Sequence, residues 1–378
     1  MADTQVNTHI PVRRFRHRGR ASQVLIYLGK QLRFFIYGND WKVLPMAAVI
    51  AALVSIVIRK DFFLTMEGDM KGAFALTCVA LWNGCFNSIQ SVVRERPIVK
   101  REHRSGMHIS SYVAAIMIYQ LLLCAAQTAL TMYVMRLLDV PFPKQGFMTR
   151  SMSLDIAISM LLISYASNMI SLFLSSISHT TTSAMTMLPF VLIFQLVFSG
   201  GILPLPDWTR PISNYTISNY GVQVIAAQTG YNEAPMASVW KTVNGMRDEK
   251  ITADITAEQL FGLLESPSAQ AHRDEMVSEN IAVGDLTDML LELKNSMDPG
   301  ILKKVYTVDT TVGEIIDLIG EEKVKDTLEK KTAVTAQKPV YDRTVENITN
   351  KWLILGCFAL VFALLSVLVL ERIDHDKR

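Results

Sequence analysis

Six stretches of this chain are long and apolar enough to cross a lipid bilayer, and that limits the fold more than any motif does. Crossing roughly 30 Å of hydrocarbon takes about 20 apolar residues in a helix. The candidates are 41–58, 72–93, 111–138, 152–178, 181–203 and 352–370. Lipid offers the backbone no hydrogen-bond partner, so each stretch must pair its own N–H and C=O groups as a helix. Trp41 and Trp352 stand at span ends, where amphipathic rings favour the membrane–water boundary.

Composition agrees. Of 378 residues, 50% are hydrophobic and 19% charged, below the roughly 25% charged of an ordinary soluble domain. The average hides a split: the apolar blocks fill about 41–203 and 352–370, while 204–350 reads like a charged soluble segment. The net charge of +2 therefore says little, and its placement says more. The first 40 residues carry 7 Lys and Arg, Arg13, Arg14, Arg16, Arg18 and Arg20 among them. A second basic group, Arg94, Arg96, Lys100, Arg101 and Arg104, follows the second span, and a third, Arg372, Lys377 and Arg378, ends the chain. All three fall on one side only with six spans and both termini cytoplasmic, as the positive-inside rule requires. The expected location is the inner (cytoplasmic) membrane. The late first apolar stretch and the basic N-terminus exclude a cleavable signal peptide from this reading.

That topology places 204–350 outside. With 23 acidic and 14 basic residues it is net negative, and it is too long for a structureless loop. Thr256–Glu265, Val283–Glu292 and Val312–Glu321 resemble one another: each opens on a small residue and an acid, then places apolar residues at helical spacing. They read either as a repeated helical unit or as amphipathic helices alike by chance. In both cases the segment is expected to be mainly helical, broken at Pro267, Pro299 and Pro339. Cys78, Cys85, Cys124 and Cys357 all lie in apolar stretches, so no disulfide framework is expected in this segment.

Ser22–Asn39 is too polar to span and too apolar to float free. Leu25, Leu28, Leu32 and Phe35 recur at helical spacing with Lys30 and Arg33 between them, which suits a helix lying in the membrane interface. A soluble helix packed on protein is the other reading.

Motifs for catalysis are missing. The sequence has no GxxxxGK[ST] phosphate loop, no HExxH and no GxSxG. His103, His108 and His179 stand alone, and Asp155, the acid within a span, reads as a helix cap. No metal site, no nucleic-acid partner and no enzymatic activity of the chain itself are expected. The spans do carry neutral polar residues: Asn83, Asn87 and Gln90 on the second, Gln120 and Gln127 on the third, Ser164, Ser167, Asn168 and Ser171 on the fourth, and Gln195 and Ser199 on the fifth. Such groups either join helices or face a cavity. Asn83, Asn87 and Gln90 share one helical face beside Phe86, which makes that set the best cavity candidate. The loop from Arg94 to Gly106 alternates in charge sign, with Glu95 and Glu102 a heptad apart. A positive-inside signal needs no carboxylates, so this loop reads as a helix that docks a cytosolic partner.

In order and spacing these features resemble the type-2 ABC exporter permeases of the G-subfamily branch, and more closely the bacterial proteins in which a forkhead-associated domain and an ATPase precede such a permease. The resemblance rests on four places. They are the interface helix; the run from Asn83 to Asn87, continuing through Glu95 to Glu102, Gly106 and Tyr112; Phe198 to Pro204 with Trp208 and Asn219 to Gly221; and the closing Leu370 to Arg378. They cover about 20–235 and 350–378.

The resemblance implies an all-α integral membrane protein. A basic tail and amphipathic connecting helix would fill 1–40, spans one to five 41–203 with a coupling helix at 94–110, an extracytoplasmic domain 204–350, and the sixth span and tail 351–378. It implies a homodimer, or a pseudo-symmetric heterodimer, of permeases embedded in membrane lipid. The second and fifth spans would line a substrate cavity with Asn83, Phe86, Asn87, Ile193 and Leu196. Gly201, Ile202 and Leu203 would form the gate, although a glycine departs from the bulky apolar valve of the family. Glu95, Arg96, Arg101 and Glu102 would couple to an ABC ATPase subunit, which binds ATP and Mg; this chain needs no cofactor of its own. The ATPase is expected on a separate chain, or on a part of the protein outside this sequence. The expected function is ATP-driven export of a hydrophobic or amphipathic substrate such as a lipid, peptide or drug-like molecule. A non-transporting membrane module that regulates an envelope enzyme, or senses a ligand, is the alternative.

Overall fold

The computed structural model describes residues 19–38, 40–200, 209–256, 276–278, 281–296, 298–303, 305–325 and 337–372, with isolated positions 258, 259, 262, 327 and 328. The chain divides into two compact units, Met1–Met236 with Ala333–Arg378, and Ala237–Thr332.

In the first unit, α1 (Arg20–Tyr37) and a 3-10 turn at Asp40–Lys42 lead into α2 (Val43–Ile58), α3 (Met66–Ser88) and α4 (Ser91–Arg104). Then follow α5 (Ile109–Leu137), α6 (Met152–Ile177), α7 (Thr181–Val197), the single turn α8 (Arg210–Ser213), α9 (Ile217–Thr229) and, after the second unit, α14 (Val345–Glu371). Among the described residues, five helical stretches are long and apolar enough to cross a membrane, namely Asp40–Ile58, Met66–Arg104, Ile109–Leu137, Met152–Ile177 and Val345–Glu371. The fifth expected span starts at Thr181 as read from the sequence. Its 17 residues through Val197 cover about 26 Å, and 201–203 lie outside the described residues.

Two helices form the centre. α6 is buried along most of its length and packs on α3. The approach is close because small residues face each other: a Cβ on Gly84 would fall 2.0 Å from Ser167 Oγ and 2.1 Å from the Ser164 carbonyl oxygen. Across the same seam Ser88 Oγ donates to the Asn168 carbonyl and Ser171 Oγ to the Cys85 carbonyl, both at 2.6 Å. Small residues and interhelical hydroxyl bonds supply the attraction that the hydrophobic effect cannot supply in lipid. By contrast α2 buries only Ala47, Ala51, Ser55 and Ile58, one face at a spacing of about four. Its other sides expose Met46, Val49, Leu53, Ile56 and Val57.

α9 is nearly all buried and packs on α3, α6 and α14. Its 13 residues give about 20 Å, too short to span, and Gly230 ends it in the left-handed conformation (φ 86°) that a side chain would oppose. Trp352 is not simply an interface anchor: its ring N–H donates to Ser159 Oγ on α6 (2.8 Å). Asp155 does not cap its own helix. It accepts the backbone N–H groups of Phe147, Met148 and Thr149 at 2.7–2.9 Å, ordering the loop that precedes α6.

The second unit adds short strands to the helices expected in its part of the chain. Besides α10 (Ala237–Gly245), α11 (Val283–Ser296), α12 (Pro299–Leu302) and α13 (Val312–Ile319), it holds β1 (Lys250–Thr256), β2 (Met276–Ser278), β3 (Ile281–Ala282) and β4 (Val305–Thr311). β1 pairs antiparallel with β4, from Lys250 opposite Thr311 to Thr256 opposite Val305, and β2 pairs with β3. Among the described residues the chain is mostly helical, and this unit adds two small two-stranded sheets. In sequence, β1 alternates apolar Ile251, Ala253 and Ile255 with polar residues at period two, and β4 is rich in β-branched residues, strand signals that the acid-led helical pattern beside them overshadowed. The three similar segments share a form: each lies where a strand ends, after β1, β3 and β4. At two of them a threonine makes a reciprocal cap. Thr311 Oγ1 accepts from Glu314 N–H while Glu314 Oε2 accepts from Thr311 N–H (both 3.2 Å). Thr256 and Gln259 repeat the exchange at 3.3 and 3.1 Å. The rest of Thr256–Glu265 lies largely outside the described residues.

Candidate functional site

The α3–α4 junction gathers most of the residues singled out by sequence. α3 ends at Ser88, and α4 begins three residues later as a separate helix. The first N–H groups of a helix lack intrahelical partners, and those of Val92 and Val93 donate to Ser175 Oγ of α6 (both 3.2 Å). Arg96 Nη1 donates to the carbonyls of Ser176 (2.8 Å) and Ser178 (3.1 Å), which the end of α6 leaves unpaired. At the other end of α4, Gly106 takes a positive φ of 98°. There Gln23 of α1 donates to its carbonyl (3.4 Å) and accepts from His108 N–H (3.0 Å).

The two acids of α4 turn inward. Glu95 is 4% exposed, and its Oε2 accepts from Lys30 Nζ on α1 (3.1 Å) and from the Tyr112 hydroxyl on α5 (3.3 Å). Glu102 accepts from the Tyr27 hydroxyl at 3.0 Å. Burial, and then the Glu102 charge beside it, holds the Tyr27 phenol well above its ordinary pKa, so it stays a proton donor. The Tyr27 and Tyr112 rings meet edge to face, 5.7 Å between centroids, and Lys30 sits 5.8 Å from the Tyr27 ring. Glu95 and Glu102 thus tie α4 to α1 and α5. The opposite side of α4 exposes Arg94, Pro97, Ile98, Arg101 and Arg104, a basic face with an apolar centre; Arg94 also reaches Asp40 at 3.3 Å.

Two cavities open beside the junction. One of ≈ 230 Å³ is lined by Phe86, Gln90, Arg94, Glu95, Tyr119 and Met185, among others. The other, ≈ 360 Å³ and almost wholly apolar, lies between α2 and α3 and is lined by Met46, Ile50, Trp82, Asn83, Phe86 and Asn87 with neighbours. Phe86, half exposed, borders both. Asn87 is also a helix joint: its Nδ2 donates to Gln127 Oε1 (2.7 Å) and its Oδ1 accepts from Gln127 Nε2 (3.1 Å). Gln120 continues the ladder, donating to the Asn87 carbonyl (3.3 Å) and accepting from Asn168 Nδ2 (2.9 Å). Ile193 is exposed and Leu196 half-buried on α7; neither lines these two cavities, where α7 is represented by Met185. Gly201, Ile202 and Leu203 lie outside the described residues.

Sequence reasoning missed Tyr27 and the roles of Lys30 and Gln195. Gln195 Oε1 accepts from Ser218 N–H (3.1 Å) and its carbonyl from Ser218 Oγ, clasping the end of α7 to the start of α9. For Gln195 the signal was a polar group in an apolar helix; for Lys30 it was a charge within an amphipathic helix.

The sequence profile of the ABC-2 type transporters matches residues 23–227, from α1 to α9. The chain belongs to the ABC-2 type transporter family. The permease is also 29% identical over 127 residues to the ABC transporter ATP-binding/permease protein Rv1747 of Mycobacterium tuberculosis. That stretch is 33% of the permease and 15% of the relative, so the chain spans a small part of that protein. As a family member the chain is the membrane component of a transporter.

Proposed function

We propose that the permease exports a hydrophobic or amphipathic substrate, driven by an ABC ATPase that binds ATP and Mg and docks on α4. Six spans, α7 with the residues after it being the fifth, would leave both termini and α4 on the cytoplasmic side of the inner membrane and 237–332 outside. The basic groups before α2, on α4 and after α14 support that orientation. α1 would lie in the interface as the connecting helix: it exposes Leu25, Leu32 and Ile36 while burying Gln23 and Gln31.

The observation that carries the reading is the anchoring of α4, held by Lys30, Tyr27, Tyr112 and Ser175 with its basic side outward. A helix fixed on one side and exposed on the other can transmit a push from a cytosolic partner into α3 and α6. Arg94 and Arg101 would contact the ATPase directly, and Arg96, Glu95 and Glu102 would carry force inward. Two copies, as homodimer or heterodimer, would enclose a cavity holding Phe86, Asn83, Ile193 and Leu196, gated near Gly201, Ile202 and Leu203. Closure of the paired ATPases would empty it outward.

Purification of the tagged permease tests this. The expected result is an ABC ATPase co-purifying with the wild type and lost with Arg101→Glu. Substrate-stimulated ATP hydrolysis should vanish in Phe86→Ala; stimulation that survives this change would remove the cavity assignment.

A further inference from the structure

A third cavity lies on the far side of α5, away from the α3–α4 junction. Between α5 and α6 it encloses ≈ 610 Å³ and is mostly apolar. Ala125, Ala129 and Ala157 leave the space, and the groove runs from Leu161 to Ser151 along α6. Ten residues of helix are about 15 Å, roughly half of the ~30 Å hydrocarbon thickness. The groove therefore has the depth of one leaflet.

Its end is polar. Arg136, Ser151 and Ser153 line both the apolar groove and an adjoining cavity of ≈ 430 Å³, to which Lys144 and Asp139 also contribute. Two cations against one carboxylate leave a single net positive charge, the complement of one phosphodiester. α5 starts next to α4 and its 29 residues reach about 43 Å, so this rim sits at the membrane boundary opposite α4.

We propose that the α5–α6 groove binds an anionic glycerophospholipid, with an acyl chain beside Ala125, Ala129 and Ala157 and its phosphate against Arg136, Lys144, Ser151 and Ser153. A free anion would use the rim and leave the groove empty, whereas an uncharged lipid would leave the rim's one net positive charge without a counter-charge. Basic pockets between membrane helices recognise head groups in this way.

The test is native mass spectrometry of the full permease in detergent, titrated with phosphatidylglycerol and with phosphatidylcholine of the same acyl chains. The wild type is expected to retain phosphatidylglycerol preferentially, a comparison that needs no variant. Arg136→Gln combined with Lys144→Gln should weaken that retention on the order of thirty-fold, the product of two surface cations. Ala129→Phe, which fills the groove, should weaken both lipids. Equal retention of the two lipids by the wild type, or unchanged phosphatidylglycerol binding in the double variant, overturns the assignment. So does displacement of the lipid by inorganic phosphate alone. None of these readouts involves ATP hydrolysis, so failure here leaves the export reading where it stands.

Discussion

Lys30 Nζ lies 3.1 Å from Glu95 Oε2, joining α1 to α4 although 65 positions separate them in sequence. Glu95 is the more buried partner, with 6% of its side chain exposed against 23% for Lys30. A hydrogen bond to a charged group contributes about 2 kcal/mol. Lys30→Met should therefore destabilise the permease by about that much in denaturant unfolding in detergent, and Glu95→Gln by less, since the amide still accepts from Tyr112. In the double variant the losses should fall short of the sum; full additivity would mean that the pair is not coupled.

The α3–α6 seam makes a sharper contrast. Gly84→Leu must displace the Ser164 carbonyl, which is backbone in a buried helix and cannot give way. A loss of roughly 3 kcal/mol or more is expected, seen as poor yield of folded protein. Gly356→Ala on α14 has nothing within 4 Å of the added Cβ, so a change of at most about 1 kcal/mol is expected there.

Asn87 and Gln127 exchange two hydrogen bonds between α3 and α5. Asn87→Leu should lower stability by about 0.5–1.5 kcal/mol, the range for polar pairs in membrane helices. Replacing both amides with leucine should cost less than replacing one, because neither amide is then left unpaired. Should Asn87→Leu alter substrate stimulation of ATPase activity with stability unchanged, its role would be contact with substrate rather than joining helices.

Hydrogen bonds from the Thr310 hydroxyl and the Thr311 N–H hold the Glu314 carboxyl below its ordinary pKa. With the folded value depressed, the stabilisation is complete above the ordinary glutamate range and is lost as pH falls through the lowered folded value. Amide exchange across Val312–Ile319 should accelerate on acidification below that range, relative to neighbouring segments and corrected for intrinsic exchange. Glu314→Ala should show the faster exchange already at neutral pH, with little further dependence on acid.

Much of the membrane unit was legible in the sequence because hydropathy adds up locally. The expected starts of α6 and α7, Met152 and Thr181, coincide with the observed ones. α3 and α14 begin several residues earlier than expected, at Met66 and Val345, because Glu67, Asp69 and Lys71, and Glu346 and Lys351, lower the local hydropathy without opposing the helix. β1 and β4 were not read: their pairing closes only across the 48 residues between them, and a strand of seven residues gives a weak local signal.

The sequence by itself determined that this chain spans a membrane and carries a charged helix between its second and third apolar stretches. It also named Asn83, Phe86 and Asn87 as neighbours, since they share one helical face. Only the tertiary structure decided what those groups do. It turned Glu95 and Glu102 inward to Lys30, Tyr112 and Tyr27, made Asn87 a joint to Gln127, and set Gln195 against Ser218. Which face of a helix is buried, and which polar group 17 to 75 positions away meets it, depends on how helices pack; hydropathy and charge placement along one chain do not contain that information.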